Sequence, residues 1–207
     1  MSRWLRTLFA VFLLVPLVAL AQFRAGDDYV VLEVPQAVEA SKGKIEVVEF
    51  FWYGCIHCYN LEPLLEQWIK RLKPDVQFRR IPAVFSPRWG RDAAIFYAME
   101  ALGVQEKLHR PLFDAIHRDH LNTEQGEAFN EWLAKQGLEA RKFEETVKSF
   151  SVQSKARRAA QLSVSYRIDG TPALAVHGRY TIPASQRMLG VADYLIGTLR
   201  SNPGAIR

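Results

Sequence analysis

The stretch Lys44 to Trp52 (K-I-E-V-V-E-F-F-W) is β-branched or aromatic nearly throughout, and it runs straight into Tyr53-Gly54-Cys55-Ile56-His57-Cys58. A run of that kind fits a strand covered on both faces. Behind the second cysteine, Leu61, Leu64, Leu65, Trp68, Ile69 and Leu72 recur at helical spacing. The cysteine pair therefore opens a helix directly after a strand. Pro74 closes that helix, and Val76 to Ile81 reads as a second strand ended by Pro82. This order is β-α-β, the unit of a parallel strand pair with a right-handed crossover.

On either side of that unit the pattern is simpler. Tyr29 to Val34 alternates as a short strand stopped by Pro35. From Arg91 to about Ile168 the periodicity is helical, with apolar positions in Ala94 to Leu102, Leu108 to Ile116, Phe129 to Leu133, Phe143 to Val147 and Ala156 to Tyr166. Thr123, followed by acidic and polar residues, marks a helix start within this block. Gly170-Thr171-Pro172 then leads into a hairpin, Ala173 to His177 and Arg179 to Ile182, turning at Gly178. Ser185 is read as the cap of a last amphipathic helix carrying Met188, Leu189, Val191, Tyr194, Leu195, Ile196 and Leu199. Neither end has enough strands for a core of its own, so the strands must share one sheet. The expected architecture is one α+β domain over residues 22–207 with an all-helical insertion at about 88–168.

The N-terminus reads separately. Arg3 and Arg6 precede an apolar run from Leu8 to Ala21 that ends in the small residues Ala19 and Ala21 before Gln22. These are the parts of a secretory signal peptide over residues 1–21, and the run, with Pro16 inside it, is short of the ~20 apolar residues a membrane span takes. No cysteine follows it to accept a lipid. The formal charge of +5 includes those two arginines, and removing them leaves +3, which does not argue for nucleic acid.

Export gives the cysteines their meaning. A chain of 207 residues with 49% hydrophobic and 24% charged composition builds an ordinary core, and two cysteines are too few for a disulfide-stapled scaffold. A single C-x-x-C outside the cytosol is an exchangeable disulfide, half a metal site, or a structural ring. Zinc needs four ligands, and the other close pair is His117 and His120, three apart in the helical block. A short structural ring constrains little of the unfolded chain. A redox pair fits better: Cys55 at the first turn of a helix faces free N–H groups and the positive end of the macrodipole, and His57, if protonated, adds charge. A stabilised thiolate favours the dithiol and makes the disulfide oxidising. Cys55 is then the attacked sulfur and Cys58 its more buried partner. His109, His117, His120 and His177 read as surface or cap residues. Of Phe50, Phe51, Trp52 and Tyr53, most read as core, with one or two reaching an apolar rim.

The run E-F-F-W-Y-G-C-I-H-C-Y (Glu49 to Tyr59), together with G-T-P-A-L-A-V-H-G-R-Y (Gly170 to Tyr180), resembles the DsbA family of secreted thiol:disulfide oxidoreductases across essentially the whole mature chain. The resemblance implies a thioredoxin-like fold with a helical insertion, a periplasmic location and donation of the Cys55–Cys58 disulfide to newly exported proteins. It implies that Cys55 is the nucleophile, that Cys58 is the buried partner and that Ile56-His57 tunes the potential. Pro172 falls at the family's cis-proline, with Thr171 offering its backbone to substrate as an added strand. Glu49 falls at a buried acid paired with Arg80 and relaying protons for Cys58; an ordinary strand-end salt bridge is the plainer reading of that pair. Pro63 is expected to kink the active-site helix. The implied partners are reduced, unfolded exported proteins and a membrane-embedded, quinone-linked, DsbB-like reoxidising protein; no cofactor, metal or nucleic acid is implied, and the chain is expected to be a monomer. Ile56 stands where the best-known members have Pro, and Thr171 where Val is often found. These departures keep an isomerase or reductase on the same fold as the runner-up, ahead of a binding or chaperone module with a structural disulfide.

Overall fold

The computed structural model describes residues 23–202 and 204; residues 1–21, read as a signal peptide, lie outside the described residues. In chain order the elements are β1 Val30–Val31, β2 Ile45–Phe51, α1 Ile56–Arg71, β3 Val76–Pro82, α2 Pro87–Ala101, α3 Gln105–His117, α4 Gly126–Lys135, α5 Ala140–Lys148, α6 Phe150–Ser165, β4 Ala173–Val176, β5 Tyr180–Ile182 and α7 Met188–Ser201. The strands form one sheet in the order β1-β5-β4-β2-β3. β2 pairs in parallel with β3 and antiparallel with β4. The β-α-β unit and the distant hairpin thus meet on one strand, and the five helices α2 to α6 stand between β3 and β4 in the chain.

All seven residues of β2 are buried. Ile45 and Val47 pack with Leu65 and Trp68 of α1 and with Val191, Leu195 and Leu199 of α7. Val48 and Phe50 join a second cluster with Tyr166, Ala173 and the inner faces of the helical insertion. Burying side chains of this size contributes about 1.5–3 kcal/mol each, so a strand flanked on both faces anchors both layers.

Three local expectations are corrected. The ladder of β1 has two residues instead of six, because it lies at the sheet edge against three-residue β5, and Val34 is 70% exposed. Ser185 caps nothing with its side chain; α7 starts after Arg187, and the Ser185 carbonyl accepts from the Met188 N–H at 3.2 Å. Thr123 is not a helix start either, since α4 begins at Gly126 and the Thr123 hydroxyl is buried and donates to Asp92 at 2.6 Å. Elsewhere Ser86 and Ser149 do cap α2 and α6. α1 runs unbroken through Pro63, where one helical N–H is missing.

Candidate active site

β2 delivers the chain to Trp52, whose carbonyl accepts from the Cys55 N–H at 3.0 Å, so a tight turn sets Cys55 at the N-cap of α1. Its Sγ accepts from the Cys58 N–H at 3.3 Å, the hydrogen bond an N-cap side chain makes. The antiparallel register of β2 and β4 aligns Phe50 with Ala173, which carries the preceding Thr171-Pro172 to the same edge. The Thr171–Pro172 peptide is cis. The Cys55 thiol lies 3.2 Å from the Thr171 carbonyl. Cys55 keeps 8% of its surface and Cys58 none, and both are free thiols.

The two sulfurs are electrostatically unequal. The Cys58 thiol donating to Cys55, then the Thr171 side chain and the backbone N–H groups of Cys58 and His57, outweigh burial and bring the Cys55 thiol down to about 5. Burial pushes the Cys58 thiol far up, helped by its hydrogen bond to Cys55 and the nearby Glu49. His57 acts on Cys55 through its backbone N–H; its side chain is exposed, so the imidazole charge expected beside the sulfur is not the source of the effect.

Beneath Cys58 lies a polar cluster in which Glu49 and Glu62 are fully buried and Arg80 is partly so. Arg80 Nε meets Glu49 Oε2 at 3.0 Å, the pair the resemblance implies, and the parallel register of β2 and β3 sets the two residues opposite each other. Arg80 Nη2 also reaches Glu62 at 3.1 Å. Burial, reinforced by the Glu62 charge, pushes Glu49 up to about 8 against the pull of Arg80. Glu62 ends below the usual carboxylate range, because hydrogen bonding to His109 and the charge of Arg80 overcome its burial. His109 is 4% exposed and His177 6%, so the expectation that they lie at the surface fails. His109 is sealed by Phe51, Phe96 and Phe113, and His177 Nδ1 accepts from the Glu46 N–H. His117 bridges the helical insertion to the turn, its Nε2 lying 2.8 Å from the Tyr53 carbonyl. His120 sits beyond α3 with φ 58°, and among the described residues no group of His, Cys, Asp and Glu is arranged to hold a metal ion.

Around the cysteines, Phe50, Phe51 and Tyr53 are core and Trp52 reaches the rim, stacked on Trp89 at 4.2 Å. Trp52 Nε1 donates to Asp92 at 2.7 Å, Phe85 leans on Trp89, and Ile56 is exposed beside the pair. Gly54 lies flat against the Trp52 ring, where any Cβ would overlap it. Gly54→Ala is therefore expected to push Trp52 off Trp89 and destabilise the fold by about 1–3 kcal/mol, read as a lowered chemical denaturation midpoint with changed tryptophan fluorescence.

A family model described as DSBA-like thioredoxin domain matches residues 89–196. The thiol:disulfide interchange protein DsbA of Azotobacter vinelandii is 41% identical over 187 residues, covering 87% of this chain and 86% of that protein. The chain belongs to the DsbA family. Among solved structures, Pseudomonas aeruginosa DsbA superposes with TM-score 0.81 at 36% identity, covering 88% of this chain and 97% of that one. Xylella fastidiosa DsbA gives 0.80 at 31% identity, covering 86% and 98%. As a DsbA-family member the chain is a protein disulfide oxidoreductase with a thioredoxin-like fold, and Cys55–Cys58 is its C-x-x-C pair.

Glu62, His109 and Tyr53 share the hydrogen-bonded cluster with Arg80, and the sequence does not mark any of them as a site residue. Glu62 left a trace: Cys58, Glu62, Leu65 and Trp68 form the buried stripe of α1, and an acid inside such a stripe needs a partner. His109 left none, because its partners come from α1 and the turn before it.

Proposed function

We propose that this chain is an oxidase of exported proteins, giving its Cys55–Cys58 disulfide to reduced, unfolded chains in the periplasm. A substrate thiolate attacks Cys55 Sγ; the internal disulfide breaks, and Cys58 leaves as a thiolate. Glu49, neutral below about pH 8, gives that thiolate its proton, and Arg80 orients Glu49. A second substrate thiolate then attacks the substrate sulfur of the mixed disulfide, so Cys55 leaves as a thiolate and the two electrons remain on the protein. Thr171 and Pro172 line the entrance, and the Thr171 backbone offers an extended substrate a strand to pair with. A membrane-embedded, quinone-linked protein of the DsbB kind takes the electrons back. Residues 1–21 direct export, residues 22–207 act as one domain, and the protein works as a monomer. Among the described residues no helix is long and apolar enough to cross a membrane.

The inequality of the two sulfurs carries this reading. A thiolate stabilised at Cys55 lowers the free energy of the dithiol, which drives the disulfide toward substrates. Thiolate absorbance followed against pH is expected to titrate near 5, and equilibration with glutathione is expected to give an oxidising couple. A potential near that of thioredoxin, about −270 mV, would make the chain a reductase instead.

A further inference from the structure

His109 belongs to the helical insertion, yet both of its ring nitrogens are engaged beneath the cysteines. The Tyr53 hydroxyl lies 2.8 Å from Nδ1, and Nε2 lies 3.3 Å from Glu62 Oε1. An ionised Glu62 only accepts, so Nε2 carries the hydrogen. Burial against three phenyl rings disfavours the imidazolium, which leaves Nδ1 free to accept from Tyr53. The ring is thereby fixed as one neutral tautomer pointing its N–H at Glu62.

That direction matters because Glu49 and Glu62 share a single guanidinium. Two buried carboxylates beside one arginine hold a proton between them. Their partners are unequal. Glu62 receives Arg80 Nη2 at 3.1 and 3.4 Å and His109 as well, whereas Glu49 has Arg80 Nε at 3.0 Å and its Oε1 is buried without a partner among the described residues. We propose that His109 is a positioning residue for the proton exchanged with Cys58: by donating to Glu62 it holds the negative charge of the buried pair there and keeps the proton on Glu49. This rests on the reading of Glu49 as the proton relay. The charged and titratable groups facing His109 are Tyr53, Glu62, Glu66 and Arg80, and those facing Glu49 are Tyr53, Glu62, Arg80, Cys55 and Cys58.

The test is side-chain carboxyl titration by carbon-13 NMR on the reduced, full mature chain. In His109→Phe the Glu49 midpoint is expected to fall by about one pH unit or more and the Glu62 midpoint to rise comparably, with partial return in His109→Gln, whose amide still donates. An unchanged Glu49 midpoint in folded His109→Phe overturns the proposal. If that variant does not fold, Glu62→Gln serves in its place: it removes the competing charge while still accepting from His109, and a Glu49 midpoint that stays where it was is equally fatal. The relay itself is tested apart, by reducing the oxidised chain with a small thiol across pH in the wild type and in Glu49→Gln. If the carboxyl titrations move as expected but those two rate profiles coincide, the relay is wrong and the placement of the proton by His109 stands.

Discussion

Cys58→Ser is expected to accumulate mixed disulfides at Cys55, while Cys55→Ser forms none and both variants lose disulfide transfer to background. The difference lies in which sulfur is a thiolate. With the Cys55 thiol at about 5, some 99% of it is ionised at pH 7, against roughly 3% for an ordinary cysteine near 8.5, an advantage of about thirtyfold in reactive species. Cys58 is fully buried and held protonated, so it attacks nothing from outside. Serine is the informative replacement at 58, since its hydroxyl still donates to the Cys55 sulfur where alanine would not; Cys58→Ala should raise the Cys55 midpoint as well. Non-reducing electrophoresis with mass spectrometry of the trapped adducts reads the result. Comparable adducts on Cys58 in the Cys55→Ser variant would contradict the assignment.

The second large effect is a divergence in stability between the redox states as pH rises. Cys55 is depressed in the folded dithiol, so its contribution is complete above the unfolded thiol value near 8.5 and is lost as pH falls toward about 5. Glu49 is raised in the fold, so its contribution is complete below the ordinary carboxylate value and is lost as pH climbs through about 8. Between pH 5 and 8 the reduced chain therefore carries two opposing slopes that largely cancel, whereas the oxidised chain keeps only the falling slope of Glu49. Reduced minus oxidised stability should widen across that window by about 2–4 kcal/mol, below the full 1.4 kcal/mol per pH unit because Cys55 lies near the surface and solvent screens it. Chemical denaturation of both states at pH 5, 6, 7 and 8 measures this. Parallel curves for the two states would rule out a thiolate held by the fold.

Much of this site was legible because its determinants are local or periodic. The apolar run of β2, the cysteine pair and the stripe of α1 lie consecutively, so the β-α-β unit is readable directly, whereas the Glu49–Arg80 pair came from the resemblance and the register of β2 and β3 sets the two opposite each other. Thr171 and Pro172 came from resemblance, since nothing in their own neighbourhood points 116 residues back to Cys55. The failures share a cause. Thr123, Ser185, His109 and His177 are polar residues, and a one-dimensional pattern assigns polar residues to caps and surfaces. What decides their fate is a partner elsewhere in the chain: Asp92 for Thr123, Glu62 and Tyr53 for His109, and the Glu46 backbone for His177. For Ser185 the backbone carbonyl, not the side chain, meets the start of α7.

The long detour between β3 and β4 also has a consequence in time. Until β4 has docked on β2, Thr171 does not lie beside Cys55, and the sulfur keeps only the stabilisation that Cys58 and the first turn of α1 give it. The share of the Cys55 thiolate's stabilisation that Thr171 supplies therefore depends on a contact spanning 116 residues of chain, and it is present only once the hairpin is in place.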